Sequence, residues 1–259
     1  MRDYLVFQLY GPFVSWGEIA VGEERPSALI PTKSAILGIL AAAQGIKRPD
    51  TVRNDDDRKV CENQHVQMSQ GYGIAVKTVA AGMTLFDYHT VQVPSSGIGR
   101  NKKIFYTRRD ELCWGDKSSL NTTLSRREYR QDAYYTVAIW ARSGAPFPLD
   151  KICGKLLEPE YMLYLGRKAC PPALPLNPRV VSSSNIEDAL AQIALPEEIK
   201  SSFDRVLQDR SIITWDTDAE TQMKPTQTVE RRDGVLSRLR WQFSVRSEHQ
   251  TVVEVIHAE

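Results

Sequence analysis

The order of strand-like and helix-like segments limits the possible folds of this chain more than any other feature. Residues 4–10 form a short apolar run of strand formers, and residues 32–43 carry apolar side chains at helical spacing. Residues 72–79 and 134–140 again have strand patterns, and residues 149–157 have a helical one. One further strand downstream would complete a split β-α-β arrangement. The sequence therefore predicts an α+β protein with a ferredoxin-like domain.

The connection between the second and third predicted strands, residues 86–131, is far longer than an ordinary hairpin loop of about 2–5 residues. Residues 100–130 contain nine Lys or Arg and four Asp or Glu, a net charge of +5, whereas the rest of the chain carries −4. Such concentrated positive charge is typical of a surface that binds a polyanion, although a solvated loop can have the same composition. The length favours a functional insertion over a simple linker.

Three short segments have residue types suited to nucleic-acid contact. Residues 126–130 mix arginines with a tyrosine, a pairing that contacts phosphates and splayed bases but also occurs on exposed strands. In residues 164–168 a glycine precedes two cations, so the segment is either a phosphate-binding turn or a turn with exposed charges. His89 is either a general acid or base in RNA cleavage or a strand-end histidine that hydrogen-bonds RNA or backbone. The rings that are candidates for stacking on bases are Trp16, Trp114 and Tyr106.

No motif in the sequence points to an enzyme of a common class. Phosphate-binding glycine loops, zinc-protease motifs and the serine-hydrolase elbow are all missing. The four cysteines include no C-x-x-C pair, and Cys61 with His65 lacks the further ligands of a zinc site, which needs about four. We therefore expect free thiols, no metal and no cofactor.

The domain pattern changes after Pro178. We expect helices near 186–193 and 197–208, a strand at 211–217, a polar connection, and two short strands within 239–256. The predicted domains are residues 1–178, with the insertion at about 86–131, and a C-terminal α/β extension over 179–259. No apolar run approaches the roughly 18–20 residues that cross a bilayer, and the N-terminus has no secretion signal. These features predict a cytoplasmic protein with no membrane partner.

Several short segments, taken together and in order, match one known family. They are Gly11-Pro12 with Ser15-Trp16-Gly17, Arg25-Pro26, Pro31-Thr32-Lys33-Ser34 with Leu37-Gly38, Asp87-Tyr88-His89-Thr90, Arg127-Glu128-Tyr129 leading to Asp132, Thr136-Val137-Ala138-Ile139-Trp140, and Tyr164-Leu165-Gly166-Arg167-Lys168-Ala169-Cys170-Pro171. With these segments the chain resembles the CasD family, the type I-E branch of the repeat-associated RNA-binding CRISPR (RAMP) proteins. The match covers residues 1–178, and residues 179–259 match loosely.

The resemblance implies a ferredoxin-like (RRM-like) domain with a long β-hairpin thumb between its second and third strands. CasD proteins cap one end of the Cascade complex, hold the 5′ handle of the CRISPR RNA, and contact the backbone subunit and the large subunit. The assembled complex recognises target DNA by guide pairing in antiviral defence. Because a separate subunit processes the RNA in type I-E systems, the resemblance implies a non-catalytic protein without a cofactor.

Carried onto this chain, the resemblance puts the thumb at about 86–131, longer than is usual because of residues 97–114. Lys33 and Ser34 would stand at a helix N-terminus, a place that favours phosphate. His89 and Thr90 would stand at the base of the thumb. The full set of RNA-binding residues that it implies is Trp16, Arg25, Lys33, Ser34, His89, Thr90, Arg108, Arg109, Arg126, Arg127, Arg130, Tyr164, Gly166, Arg167 and Lys168.

Two other functions stay open on the sequence alone. A sister branch of the same superfamily, in type I-C systems, cleaves precursor RNA without metal. His89 with Tyr88 and Lys102 or Lys103 would be the corresponding catalytic set here. The third hypothesis is a general binder of single-stranded RNA.

Overall fold

The computed structural model describes residues 1–94, 104–113, 120–194 and 210–254. The strands and helices in chain order are β1 (Arg2–Val14), β2 (Trp16–Gly17), β3 (Glu24–Arg25), β4 (Ser27–Ala28), α1 (Lys33–Ala43), α2 (Asp55–Gly71), β5 (Tyr72–Ala80), β6 (Met83–Pro94), α3 (Arg108–Cys113), β7 (Leu120–Ala141), α4 (Leu149–Leu157), β8 (Arg179–Ser183), α5 (Ile186–Ala191), β9 (Arg210–Asp216), β10 (Gln227–Ser237) and β11 (Gln242–Glu254). A short 3₁₀ helix, Pro49–Thr51, lies between α1 and α2.

One large, almost wholly antiparallel sheet organises the molecule. Its strand order is β10-β11-β9-β5-β7-β1-β8, with β3 and β6 also paired to β7. The pairing of β3 with β7 is parallel, and every other pairing in this sheet is antiparallel. The prediction of an α+β fold is confirmed. The further downstream strand that the sequence analysis called for corresponds to β8, which pairs with the edge of β1.

Side chains of β1 are buried on both faces of the sheet, which explains the unbroken apolar run at residues 4–10. Leu5 and Phe7 pack in the cluster that includes α1 and α4, whereas Tyr4 and Val6 pack in the cluster that includes α5. Successive residues of a strand point to opposite faces, so a strand covered on both sides has no polar alternation. Thr32 caps α1, and its side chain accepts the backbone N–H of Ala35.

The C-terminal strands differ from the prediction. The polar stretch after residue 216 contains β10, and residues 242–254 form one long strand, β11, instead of two short ones. Polar residues alternate along β10 because it is the outer strand of the sheet and one of its faces is largely exposed. The predicted strand at 211–217 is observed as β9, and the predicted helix at 186–193 as α5. The predicted helix at 197–208 lies outside the described residues.

A buried ionic network joins α1 to these C-terminal strands. Asp216 accepts hydrogen bonds from Lys33 Nζ and Arg246 Nη1, both at 2.7 Å. Arg246 also binds Asp233, from Nε to Oδ1 at 2.7 Å, and Glu248, from Nη2 to Oε2 at 2.6 Å. Asp233 in turn accepts the backbone N–H of Lys33 at 2.7 Å. The network therefore fixes β9, β10 and β11 to the first turn of α1.

Among the described helices, none is long and apolar enough to span a membrane.

Candidate nucleic-acid interface

The predicted insertion is a long β-hairpin built from β6 and the first half of β7. The two strands pair without a register shift from Met83 opposite Gln131 to Pro94 opposite Leu120. Beyond the hairpin, β7 continues into the central sheet as the partner of both β1 and β5. The hairpin is therefore a direct extension of a core strand, which holds its root rigidly.

Glycine is required where the chain turns from β5 into the hairpin. Gly82 has φ of +67°, a left-handed conformation that costs other residues about 1–2 kcal/mol. A Cβ atom at this position would lie only 2.2 Å from the carbonyl oxygen of Gln131. Arg130 closes the same turn, donating from Nε to the Ala81 carbonyl at 2.6 Å and from Nη2 to the Gly82 carbonyl at 3.0 Å. Some of the hydrogen-bond donors of Arg130 are therefore already used at the root of the hairpin.

The predicted RNA-contacting residues of the hairpin divide between its two faces. Residues directly opposite in an antiparallel pair share a face, so Asp87, Arg127 and His89 lie on one side. Tyr88, Arg126 and Thr90 lie on the other. Arg127 Nη2 is 3.4 Å from His89 Nδ1, and the guanidinium of Arg126 is 5.3 Å from the centroid of the Phe86 ring. The arginines therefore do not form a single cationic row.

Arg108 and Arg109 lie on α3, between β6 and β7 in the chain. Arg108 binds the carboxylate of Glu111 and the carbonyl of Gln92, so it ties α3 back to β6. Arg109 is exposed. Trp114, named above as a stacking candidate, lies outside the described residues.

Three separate segments meet at the root of the hairpin. The short strand β3 pairs with β7 so that Arg25 stands opposite Arg127. Arg167 donates from Nη2 to the Arg25 carbonyl at 3.1 Å and from Nη1 to the Glu128 carbonyl at 3.2 Å. Its guanidinium also lies 4.6 Å from the centroid of the Tyr129 ring. We call the surface formed by Arg25, Arg127, Tyr129, Arg167 and Lys168 the hairpin-root surface.

The turn at residues 164–168 is held tightly against the link between β1 and β2. Gly166 has φ of +89°, and a Cβ atom there would lie 1.8 Å from the carbonyl oxygen of Ser15. Ser15 donates its backbone N–H to the Leu165 carbonyl at 3.1 Å. Lys168 is exposed at the end of this turn, and Tyr164 is half-buried. The two segments favoured by sequence, 126–130 and 164–168, are thus neighbours in space.

Two predicted contacts are corrected by the structure. Trp16 is fully buried and packs edge-on against Tyr135, with ring centroids 5.8 Å apart, so it presents no ring face to a base. Lys33 is 2% exposed, and its ammonium is paired with Asp216. Burial lowers the pKa of Lys33, and Asp216 opposes that effect. Lys33 is therefore part of a buried ion pair. Its partner is so distant in the sequence that local sequence patterns could not predict the pairing.

Ser34, the neighbour of Lys33, is half-buried and lines a groove of about 600 Å³ between α1, residues 161–166 and the β10–β11 turn. Tyr164 and Gly166 line the same groove. The hairpin-root surface and this groove are therefore adjacent, because the 164–168 turn belongs to both. Within the described residues, no group of three or more His, Cys, Asp or Glu side chains is placed to hold a metal ion.

Comparison with known proteins decides the family. The family model described as CRISPR-associated protein (Cas_Cas5) matches residues 4–247. The chain belongs to the Cas5 family. A curated relative, the CRISPR system Cascade subunit CasD of Escherichia coli (strain K12), is 30% identical over 190 residues, which are 73% of this chain and 76% of that protein. The resemblance to CasD proteins is thereby confirmed.

Solved structures agree with this assignment at the level of the fold. A chain of a CRISPR RNA-guided surveillance complex has a TM-score of 0.61 at 23% identity. The match covers 97% of this Cas5 protein and 90% of the chain from the complex. A second structure, described as the crystal structure of a Cas protein, has a TM-score of 0.56 at 18% identity, with coverages of 97% and 95%.

Proposed function

We propose that this Cas5 protein is a non-catalytic subunit of a type I-E Cascade complex that binds and caps the 5′ handle of the CRISPR RNA. The observation that carries the proposal is the hairpin-root surface, where Arg167 stacks on Tyr129 and joins two other segments of the chain. The relative from E. coli, a subunit of Cascade, supports the same assignment. The expected partners are the CRISPR RNA, the backbone subunit, the large subunit and, in the assembled complex, target DNA.

The strand order supports an RNA-binding role. Strands β8, β1, β7 and β5, with α1 and α4 in their connections, have the order and links of the ferredoxin-like (RRM-like) fold. The hairpin of β6 and β7 then corresponds to the thumb. In this assignment the RNA-binding domain ends with β8 and so extends slightly past the expected boundary at residue 178. Strands β9, β10 and β11 belong to the C-terminal extension and widen the sheet. We expect the protein to act in the cytoplasm.

The chemistry of the hairpin-root surface suits an unpaired RNA strand. Exposed or half-buried cations neutralise phosphates, and the resulting affinity falls steeply with salt. The guanidinium of Arg167, which stacks on the Tyr129 ring, offers a flat face to an unstacked base. Arg127 is half-buried next to His89, so His89 is placed to orient this arginine or to donate to RNA itself.

The direct test is binding of a guide RNA that carries its 5′ handle. We expect Arg127→Glu combined with Lys168→Glu to weaken binding at least tenfold in a fluorescence anisotropy titration, since two cations become two anions. The control is Lys224→Glu. Lys224 is exposed, and its neighbour Met223 packs on the face of the sheet opposite to the hairpin-root surface. Unchanged affinity of the double variant at an unchanged melting temperature would refute the site.

Two controls separate the other functions. Precursor repeat RNA incubated with the protein in EDTA is expected to stay intact, and products with a 2′,3′-cyclic phosphate would instead identify a metal-independent nuclease. A scrambled handle is expected to bind more weakly than the natural one. Equal affinity for the two RNAs would assign the protein as a general single-strand binder.

A further inference from the structure

The groove next to the hairpin root has an unusual charge balance. Its lining includes three cations, Lys47, Arg48 and Arg238, and no carboxylate. One side is the α1 face around Gly38, and the other is the turn between β10 and β11, which carries Trp241. The three cations and Trp241 were not singled out from the sequence. A concave site of this size with a few polar groups is typical of a ligand pocket.

Arg238 is a partly buried cation without a carboxylate partner among the residues that the structure describes. Its guanidinium instead lies 5.0 Å from the Trp241 ring centroid and 5.8 Å from that of Phe243. The nearby carboxylate of Glu62 accepts the backbone N–H groups of Arg238 and Leu239, both at 3.1 Å, and so serves the turn. The donors of the Arg238 side chain are left to face the groove.

The electrostatic setting of Arg238 favours an incoming anion. Burial lowers the pKa of its guanidinium, and the positive charge of Arg48 lowers it further, while Asp50 and Glu62 act in the opposite direction. An arginine stays charged in proteins, so the lowered pKa reports a cation that is poorly stabilised. Arg48, by contrast, is already paired with Asp50 through a two-point contact at 3.1 and 2.6 Å. A phosphate that binds Arg238 would supply the anionic partner that this guanidinium lacks.

Trp241 is held in a conformation that its residue type disfavours. Its φ is 53°, in the left-handed region that Gly and Asn normally occupy, and its side chain is 55% exposed. Such a conformation costs about 1–2 kcal/mol, and strained residues of this kind concentrate at functional sites. The guanidinium of Arg48 lies 5.0 Å from the same ring. The turn therefore presents a large aromatic ring, flanked by two arginines, at the cost of local stability.

We propose that this groove binds one unpaired nucleotide of the guide RNA, with its phosphate on Arg238 and its base against the exposed part of the Trp241 ring. The proposal rests on the proposed function and extends the interface onto the C-terminal strands. An RNA strand on the hairpin-root surface reaches the groove directly, because the 164–168 turn borders both. An acidic peptide would satisfy Arg238 but has no flat group to pack on the exposed part of the Trp241 ring, whereas every base has one.

Gly38 allows a test that does not dismantle the site. A Cβ atom at this position would meet only the Nη2 atom of Arg238, at 3.9 Å, so larger side chains fit on this face of α1. We expect Gly38→Glu to place a carboxylate beside Arg238 and to compete with the phosphate. The melting temperature should stay the same or rise, because a helix glycine is replaced, while affinity for the guide RNA falls about tenfold or more.

Matched variants make this outcome specific. Gly38→Gln has the same size without the charge and should weaken binding less. Gly154→Glu makes the same substitution in α4, where a Cβ atom has no neighbour within 4 Å, and should leave binding unchanged. Trp241→Gly should relieve the backbone strain, so that the melting temperature is maintained while the guide RNA binds several-fold more weakly.

The possible results separate the two proposals. If the Arg127 and Lys168 variant loses RNA but Gly38→Glu and Trp241→Gly bind like the wild type, the groove proposal is wrong and the proposed function stands. If the wild-type protein does not bind guide RNA, both fail. A hexaglutamate peptide provides the remaining test. If it binds the wild type but not the Gly38→Glu variant, and does not compete with RNA, the groove belongs to an acidic partner and the proposal is overturned.

Discussion

Asp216 is the centre of the ionic network between α1 and the C-terminal strands, and its neutralisation is the most informative stability test. The carboxylate is 3% exposed and accepts from Lys33, Arg142 and Arg246, each at 2.7 Å. Asp216→Asn keeps the shape but leaves these cations with one anion fewer. Removing one partner of a buried ion pair costs about 3–5 kcal/mol, a large part of a typical folding free energy of about 5–15 kcal/mol.

The assay is urea unfolding followed by tryptophan fluorescence, with Trp215 next to the substitution. The midpoint should fall by the amount that corresponds to about 3–5 kcal/mol at an unchanged slope. Glu158→Gln, the loss of an exposed carboxylate at the end of α4, should change stability by no more than about 0.5 kcal/mol. A deficit of less than about 1 kcal/mol for Asp216→Asn would mean that the Asp216 carboxylate contributes little to holding the C-terminal strands.

The same variant has a predicted pH dependence. In the wild type, burial lowers the pKa of Lys33 and Asp216 opposes the shift, so removing the carboxylate lowers the pKa of Lys33 further. The unfolded chain then binds more protons than the folded one between the folded and unfolded pKa values of Lys33, and stability rises with pH in that range. We therefore expect the stability deficit of Asp216→Asn to shrink as the pH is raised towards the ordinary pKa of lysine. A deficit that grows with pH would contradict this account.

Two further substitutions test the root of the hairpin. Gly166→Ala should destabilise the protein by more than about 2 kcal/mol and weaken guide-RNA binding, because φ is +89° and the Cβ atom meets the Ser15 carbonyl. Gly144→Ala, where φ is +81° and the Cβ atom would stand in open space, should cost only about 1–2 kcal/mol. Equal losses of stability in the two variants would show that the Ser15 contact is unimportant. Arg130→Ala should cost about 1–3 kcal/mol in urea unfolding by leaving the Ala81 and Gly82 carbonyls without this donor, and it should speed limited proteolysis at residues 81–84. Arg126→Ala, which loses an exposed ion pair with Glu24 and an exposed contact with the Phe86 ring, should cost at most about 1 kcal/mol. An equal cost for the two variants would refute the role of Arg130.

Local patterns predicted most of the central fold correctly. The strand at β1, the helix α1 with its Thr32 cap and the helix α4 each follow from residues close together in the sequence. The element order then restricted the topology, because short connections and a split β-α-β arrangement leave few alternatives. The candidate segments 126–130 and 164–168 could be named from their residue types, and the structure brings them into contact.

The parts that sequence could not predict depend on long-range pairing. Lys33 has the appearance of a helix N-terminal phosphate ligand, but its partner Asp216 is 183 residues away. Trp16 lies in a glycine-flanked loop that suggests exposure, yet that loop is covered by the turn at Gly166. β10 was missed because an outer strand with one exposed face carries too many polar residues to be recognised by apolar periodicity.

Pairing, and not the net charge of a segment, decides which cations are available to an anionic ligand. The hairpin insertion carries most of the excess positive charge, yet Arg108 binds Glu111 and Arg126 is paired with Glu24 at 3.3 Å. Arg238, a cation of the groove that has no carboxylate partner within the described residues, comes from the part of the chain with a net negative charge. A charge count along the sequence therefore located the hairpin but overlooked the groove. Whether a cation can bind a phosphate follows from the acids around it in space, which the folding of β10 and β11 against α1 determines.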